Sequence, residues 1–126
     1  MKTENELSYI IRGAIFDVYN TLGPGLLENI YQAALLYELT KKGLSVKQEV
    51  PVPVFYNDVK LDVSYRLDLL VNDKVIIEIK SVEQLVKVHH KQVLTYLKIT
   101  NLKLAILVNF NVVDITSGIF RKVNNL

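Results

Sequence analysis

The stretch that decides the fold is Arg66-Leu67-Asp68-Leu69-Leu70-Val71-Asn72-Asp73-Lys74-Val75-Ile76-Ile77-Glu78-Ile79-Lys80. Its first part continues an alternation that begins at Val59: odd positions through Leu69 are apolar and even positions polar. A period of two predicts a strand with one face on a core and the other open to water or chemistry. Asn72-Asp73 is a turn signal. Beyond it Val75, Ile77 and Ile79 share one parity, and Ile76, Glu78 and Lys80 the other. Two carboxylates, Asp68 and Glu78, therefore stand on neighbouring strands.

Whether they meet depends on register. Residues directly opposite in an antiparallel pair share a face. Asp68 and Glu78 are opposite only if the connection has an odd number of residues centred on Asp73. A two-residue turn at Asn72-Asp73 would pair Asp68 with Ile77 and send Glu78 to the other face. A three- or five-residue connection, or a compensating bulge, is therefore expected.

With that register the chemistry is specific. Two carboxylates can hold a hard divalent cation such as Mg²⁺, which prefers oxygen ligands and keeps several waters. The Lys80 ammonium, two residues beyond Glu78, points to the same side and can orient a water or offset phosphate charge. Ile79 faces the core, leaving its carbonyl as a further oxygen ligand. The plain alternative is an exposed strand face carrying ordinary charges. Against it, Glu78 and Lys80 sit in Ile76-Ile77-Glu78-Ile79-Lys80 and Asp68 in Leu67-Asp68-Leu69, where unpaired charge is expensive.

Working outward, Leu7, Ile10, Ile11, Ala14, Ile15, Val18 and Leu22 recur at three- and four-residue steps and predict a helix over 4–21. Gly23-Pro24-Gly25 breaks it. Tyr31, Ala34, Leu35 and Leu39 give the buried face of a second helix over 26–42, and Gly43 marks its end. Val46, Val50, Val52 and Val54 share one parity of a strand in which Pro51 and Pro53 indicate an edge position. Ser81, with Glu83 and Gln84 in the first turn, reads as the cap of a third helix ending near Thr100. Leu102–Val108 is nearly continuously apolar, as a central strand covered on both faces should be. A short strand at 119–123 follows a Ser117-Gly118 turn. The order is α-α-β-β-β-α-β-β, an α/β fold with a mixed sheet flanked by helices.

Composition narrows the class. At 126 residues, half of them hydrophobic and 22% charged, the chain reads as one globular domain, 1–126. No apolar run spans a bilayer and no secretory signal opens the chain, so a cytoplasmic protein without membrane association is expected. The absence of Cys excludes disulfide scaffolds, thiolate zinc sites and cysteine nucleophiles. A net charge of +2 leaves room for a local basic face only.

Asp…Glu-x-Lys across a β-hairpin, between helices, resembles the PD-(D/E)XK nuclease superfamily. The resemblance implies a restriction-endonuclease-like αβββαβ core. Gly25-Leu26-Leu27-Glu28-Asn29-Ile30-Tyr31 is similar to the Gly-x-x-Glu-x-x-Tyr pattern that names one small family of that superfamily. The likeness runs from about residue 10 to 123. It implies that Glu28 supplies an extra acidic ligand from the helix, although a carboxylate in a first helical turn also favours the helix dipole. Tyr31 reads as a packing residue with a hydrogen-bonded hydroxyl. Gln92-Val93-Leu94-Thr95-Tyr96 resembles the Gln-x-x-x-Tyr signature of the RecB-type exonuclease branch, which implies that Gln92 and Tyr96 border the site and position nucleic acid. Tyr96 as core and Gln92 as a surface amide is the plain alternative. The Gly usual before Asp68 in that branch is absent: Ser64-Tyr65-Arg66-Leu67 stands there.

Arg66 with Lys87, Lys91, Lys98 and Lys103 is a candidate phosphate-facing patch, or a set of solubilising charges. His89 falls three residues before Gln92 and is placed to reach the same cleft, with His90 pointing elsewhere. The expected activity is Mg²⁺- or Mn²⁺-dependent hydrolysis of nucleic-acid phosphodiesters, DNA favoured. Glu28, Asp68, Glu78 and the Ile79 carbonyl are the expected metal ligands, Lys80 orients water, and Gln92, Tyr96 and Arg66 hold substrate. The alternative is a nucleic-acid- or protein-binding module on the same fold, without efficient turnover. The small size points to a homodimer or partner protein supplying further binding surface.

Overall fold

The computed structural model describes residues 1–126. Two helices come first, α1 (Glu4–Leu22) and α2 (Glu28–Lys41). A three-stranded antiparallel meander follows: β1 (Val46–Tyr56), β2 (Val59–Val71) and β3 (Val75–Lys80). Then come α3 (Lys87–Thr100), β4 (Leu104–Asn109), a 3₁₀ turn at Ile115–Gly118 and β5 (Ile119–Val123). The sheet order is β1-β2-β3-β4-β5, with β3 and β4 parallel and every other pair antiparallel. This is the mixed, helix-flanked α/β sheet of the restriction-endonuclease-like fold.

Sequence explains the layers. Thr3 accepts from the Glu6 amide while Glu6 accepts from the Thr3 amide, a reciprocal cap that starts α1. The α1 stripe Leu7, Ile11, Ala14, Ile15 and Val18 is buried with Tyr31, Leu35 and Leu39 of α2 against the odd-numbered residues Ile77 and Ile79 of β3. On the other face Val93, Tyr96 and Leu97 of α3 pack on Ile76, Ala105 and Leu107. β4 is buried along its whole length, as its unbroken apolar run predicts. β1, with its two prolines, is an edge strand.

Two expectations change. The first is the uniform alternation along β2. Leu69 and Val71 pack in the α1–α2 core, but Leu67, of the same parity, packs in the α3 core. The strand changes face at Asp68. Toward Val59 it also leaves the core, because the β1–β2 hairpin projects as an arm: Val59 and Val63 are 60% and 67% exposed. The second is the start of the third helix, which begins at Lys87, so Ser81 is not its cap. Ser81 and Val82 are tied instead by bonds to Leu26, Glu28 and Asn109, which hold 81–86 off the helical path. The Ser117-Gly118 turn, the end of the 3₁₀ segment, leads into β5 at 119–123 as expected.

Candidate active site

The β2–β3 connection is the three residues Asn72-Asp73-Lys74, with Leu69↔Ile77, Leu70↔Ile76 and Val71↔Val75 in register. The positive φ of Asn72 and Asp73 (51° and 54°) suits Asn and Asp. Asp68 and Glu78 are the next residues beyond the last ladder pair, Leu69↔Ile77, so the odd-numbered connection brings both to the same end of that ladder. The Asp68 carboxylate does more than face that strand: its Oδ2 accepts from the Ile79 amide at 2.7 Å. A residue's N–H and C=O leave a strand on the same side. The Ile79 carbonyl is therefore also directed toward β2, while its side chain is buried in the α1–α2 core.

Glu78 shares its parity with Ile76 and so lies on the α3 side of the sheet. It is 5% exposed, and its Oε1 is buried with no hydrogen-bond partner. Lys80 Nζ stands 3.7 Å from Glu78 Oε2, an ion pair too long for a hydrogen bond. Burial raises the carboxyl of Glu78 to about 8; the neighbouring Asp68 adds to this, and Lys80 opposes it. Burial likewise raises Asp68, opposed by the Ile79 amide and assisted by the charge of Glu49. Both carboxyls thus lean toward protonation, chiefly because burial strips water from the charged form and Lys80 offsets only part of that.

Tyr96 closes the site from α3. It is buried, sits edge-on to Tyr65 at 5.3 Å, and its hydroxyl is pushed up to about 12 by burial, then by Glu78 and Asp68. The nearby Gln92 side chain pulls it back slightly. Gln92 and Tyr96 thus lie one turn apart on α3, with Tyr96 beside the two carboxylates.

Glu28 enters differently. It is the first residue of α2, exposed, and its Oε2 accepts from the Ser81 amide at 3.2 Å. Its charge reaches Asp68 and Glu78 only as the weakest of the influences named for each. No three carboxylate or imidazole groups converge on a single cation position. The turn before Glu28 is fixed by Tyr31, whose hydroxyl donates to the Gly23 carbonyl at 2.6 Å and accepts from the Leu26 amide at 3.1 Å. The Tyr31 ring stacks on Phe110, centroids 4.3 Å apart. Gly25, at φ 94°, takes a conformation that side chains resist.

Other candidates lie elsewhere. Arg66 is exposed on the arm and, like the α3 lysines, makes no ion pair. At 100° per residue, Lys87, Lys91 and Lys98 fall roughly 140–180° around α3 from Tyr96, on the outer face. His89 Nδ1 accepts from the Val86 amide at 3.1 Å, so it caps α3. His90 packs edge-on against Phe120. An apolar groove of about 450 Å³, lined by Val50, Val52, Leu67 and Ile99 among others, lies beside the carboxylates without including them.

Two residues carried no flag in the sequence. Asn109, 3% exposed at the end of β4, accepts from the Val82 and Asn111 amides and donates to the Val82 carbonyl, fastening the segment after Lys80. A polar residue closing an otherwise apolar strand was the available signal. Glu49 faces Asp68 from the edge strand. Gln48↔Leu69 and Val50↔Leu67 are paired while the rung between them is not, and Glu49 has φ 52°.

A family model for the PD-(D/E)XK nuclease superfamily matches residues 5–122. The chain belongs to that superfamily. No curated protein and no solved structure matches it. Nucleases of the PD-(D/E)XK superfamily generally use divalent metal ions, and the donors present fit one. The orphaned Glu78 Oε1, the Asp68 carboxylate and the Ile79 carbonyl are hard oxygen donors on neighbouring strands, and a cation would favour the ionised form that burial disfavours. A set this small leaves positions for water and substrate. No helix is long and apolar enough to cross a membrane.

Proposed function

We propose that this PD-(D/E)XK protein hydrolyses nucleic-acid phosphodiesters with Mg²⁺ or Mn²⁺, with DNA as the preferred substrate. The observation that carries the reading is the buried Glu78 Oε1 without a partner, with Asp68 on the neighbouring strand and Lys80 beside it. An acid left this way favours a cation. Asp68, Glu78 and the Ile79 carbonyl are the ligands, and Glu28 contributes from the helix terminus through water, since its own carboxylate is engaged by the Ser81 amide.

A divalent cation there supplies Lewis acidity toward water and the phosphate oxygens. The chain's own residues do the rest. The Ile79 amide holds the Asp68 carboxylate in one orientation. The Lys80 ammonium, partly exposed, orients the attacking water and offsets charge gathering on the phosphate. The Tyr96 hydroxyl keeps its proton at neutral pH and donates a hydrogen bond, with Gln92 steering it toward the substrate strand or the catalytic hairpin. Arg66 contacts phosphate from the arm.

The test is a cleavage assay on single- and double-stranded DNA and RNA with Mg²⁺, Mn²⁺ or chelator, with Asp68→Asn and Lys80→Ala beside wild type. Metal-dependent cutting of DNA that is lost in both variants is expected. Nucleic-acid binding without cutting in every condition would overturn the enzymatic reading.

A further inference from the structure

Neither the fold nor the site explains the β1–β2 arm. Beyond the paired Val52 and Tyr65 it runs to a turn at Asn57-Asp58, about 17 Å at the rise of a strand. At its base, Val50, Val52, Tyr65 and Leu67 pack on the α3 core. The register then shifts from Pro53↔Ser64 to Phe55↔Lys60, which advances β1 by two residues and β2 by four. Both steps are even, so the face is kept. Tyr56 and Val59, paired at the tip, therefore continue the apolar face that α3 covers at the base. With Phe55 and Val63 they are each at least 60% exposed. Apolar side chains scattered singly need no explanation, whereas a contiguous set on one ribbon marks an interaction surface.

A receptacle lies on the same face. The groove of about 450 Å³ runs between β1 and the C-terminal end of α3, lined by Val50, Val52, Phe55, Leu67, Ile99 and Leu102 among others. α3 ends at Thr100 and leaves this groove uncovered. A ribbon packed on a sheet lies about 10 Å from it, close to the depth of a helix layer. A second ribbon can therefore extend the α3 layer over the groove. The charges match this. The arm tip carries Asp58 and Asp62 against Lys60, all exposed and outside any ion pair. At the groove, Lys98 and Lys103 flank Ile99 and Leu102 and are likewise exposed and unpaired, while Asp73 is already paired with Lys47. A tip with excess acid repels phosphate, which favours a protein partner over nucleic acid.

We propose that the arm seats in the groove of a second copy of this chain, in a two-fold dimer where each arm fills the other's groove. One chain carries both halves of the contact, and a two-fold axis satisfies both with no open end. The groove runs alongside Val50 to Phe55, about the reach of the arm, so two antiparallel arms lie tip to base. Side chains rather than strand edges make the contact, because Pro51 and Pro53 of the edge strand have no N–H for a further strand. The surface includes neither Asp68 nor Glu78, so the dimer does not depend on the metal-dependent reading.

Sedimentation velocity of the full chain, from sub-micromolar to hundreds of micromolar, is the test. Wild type is expected to pass from monomer to dimer across that range. Tyr56→Ser with Val59→Ser on the arm, or Ile99→Glu in the groove, should each raise the dissociation constant by about tenfold or more. Far-UV circular dichroism and monomer unfolding midpoints should match wild type, since these side chains are exposed. Lys103→Glu, a surface change outside the core, should weaken the dimer by a smaller factor. Mixing the arm and groove variants separates this dimer from others. The mixed pair keeps one undamaged contact, and a second change at a contact already lost costs little more. The mixture should therefore dimerise more tightly than either variant alone. A wild type that is monomeric throughout, a dimer that both variants leave intact, or a mixture no tighter than its components overturns the proposal. Loss of DNA binding in the arm variant, with wild type monomeric, would assign the arm to nucleic acid instead.

Discussion

The carboxylate of Asp68 accepts a hydrogen bond from the Ile79 main-chain amide at 2.7 Å, so the acid on β2 is anchored to the residue between Glu78 and Lys80. The bond ties the Asp68 carboxylate to the strand that carries the other two charged side chains. Charge and hydrogen bonding at Asp68 can be separated. Asp68→Asn retains an oxygen acceptor and removes the charge; Asp68→Ala leaves a partly buried amide unpaired, which costs about 1–3 kcal/mol. Asp68→Ala should unfold in urea with a stability lower than Asp68→Asn by about that amount, while both lose cleavage. Equal stabilities would mean that the bond does not hold the strands together.

The buried carboxyls make stability depend on pH in an unusual direction. Glu78 is raised from 4.5 to about 8 in the folded chain, by burial and then by Asp68. The unfolded state therefore binds fewer protons than the folded one between these values, and unfolding free energy falls as pH rises. Stability is full below about 4.5 and is lost through about 8. In chelator, wild type should lose on the order of a few kcal/mol across that window. Glu78→Gln should be nearly flat and more stable than wild type at pH 8. Urea titrations at pH 5, 6.5 and 8 measure this. A wild type as stable at pH 8 as at pH 5 would contradict the burial of a charged Glu78.

Much of this site was legible in advance because it follows from short-range rules. The parity of Glu78 and Lys80, and the odd connection needed to bring Asp68 across, require only period-two strands and a turn at Asn72-Asp73. The four-residue spacing of Gln92 and Tyr96 similarly places them on one side of α3. What was not legible depends on contacts between distant segments. Ser81 looks like a helix cap locally, but Leu26, Glu28 and Asn109 claim it and its neighbour Val82. The face change at Asp68 arises because α3 and the α1–α2 pair compete for apolar residues of the same strand. Alternation within β2 alone carries no sign of it, and Glu49 becomes visible only once β1 is paired.

The Gly-x-x-Glu-x-x-Tyr segment has a mechanical role that can be isolated. Tyr31 donates to the Gly23 carbonyl and accepts from the Leu26 amide across the turn that delivers Glu28 to Ser81. Tyr31→Phe preserves the stack on Phe110 and removes only the hydroxyl. A loss of about 0.5–1.5 kcal/mol per hydrogen bond is expected in urea unfolding, with amide exchange accelerated at Gly25–Glu28. Tyr31→Leu should lose more, because the stacked ring goes as well. If Tyr31→Phe matched wild type in both measurements, the turn would be held by other contacts.

Asn109 sets the path of the chain just after the Lys80 ammonium. Its amide oxygen accepts from Val82 and Asn111 at 3.1 and 3.2 Å, and its nitrogen donates to the Val82 carbonyl at 2.9 Å. Being 3% exposed, it has no water to replace these bonds. Asn109→Leu fills similar volume but leaves two amides and a carbonyl unpaired, so a destabilisation of about 2–4 kcal/mol is expected. Asn109→Asp keeps the acceptors but loses the donor and buries a charge, so it should be destabilised more at pH 8 than at pH 5. Cleavage by either variant, assayed below its unfolding midpoint, should fall further than that by a surface control such as Lys98→Ala, because residues 81–86 no longer hold Glu28 against the end of β3. Exchange of the Val82 amide in chelator is the direct readout. Protection equal to wild type in Asn109→Leu would show that the segment is fixed without it.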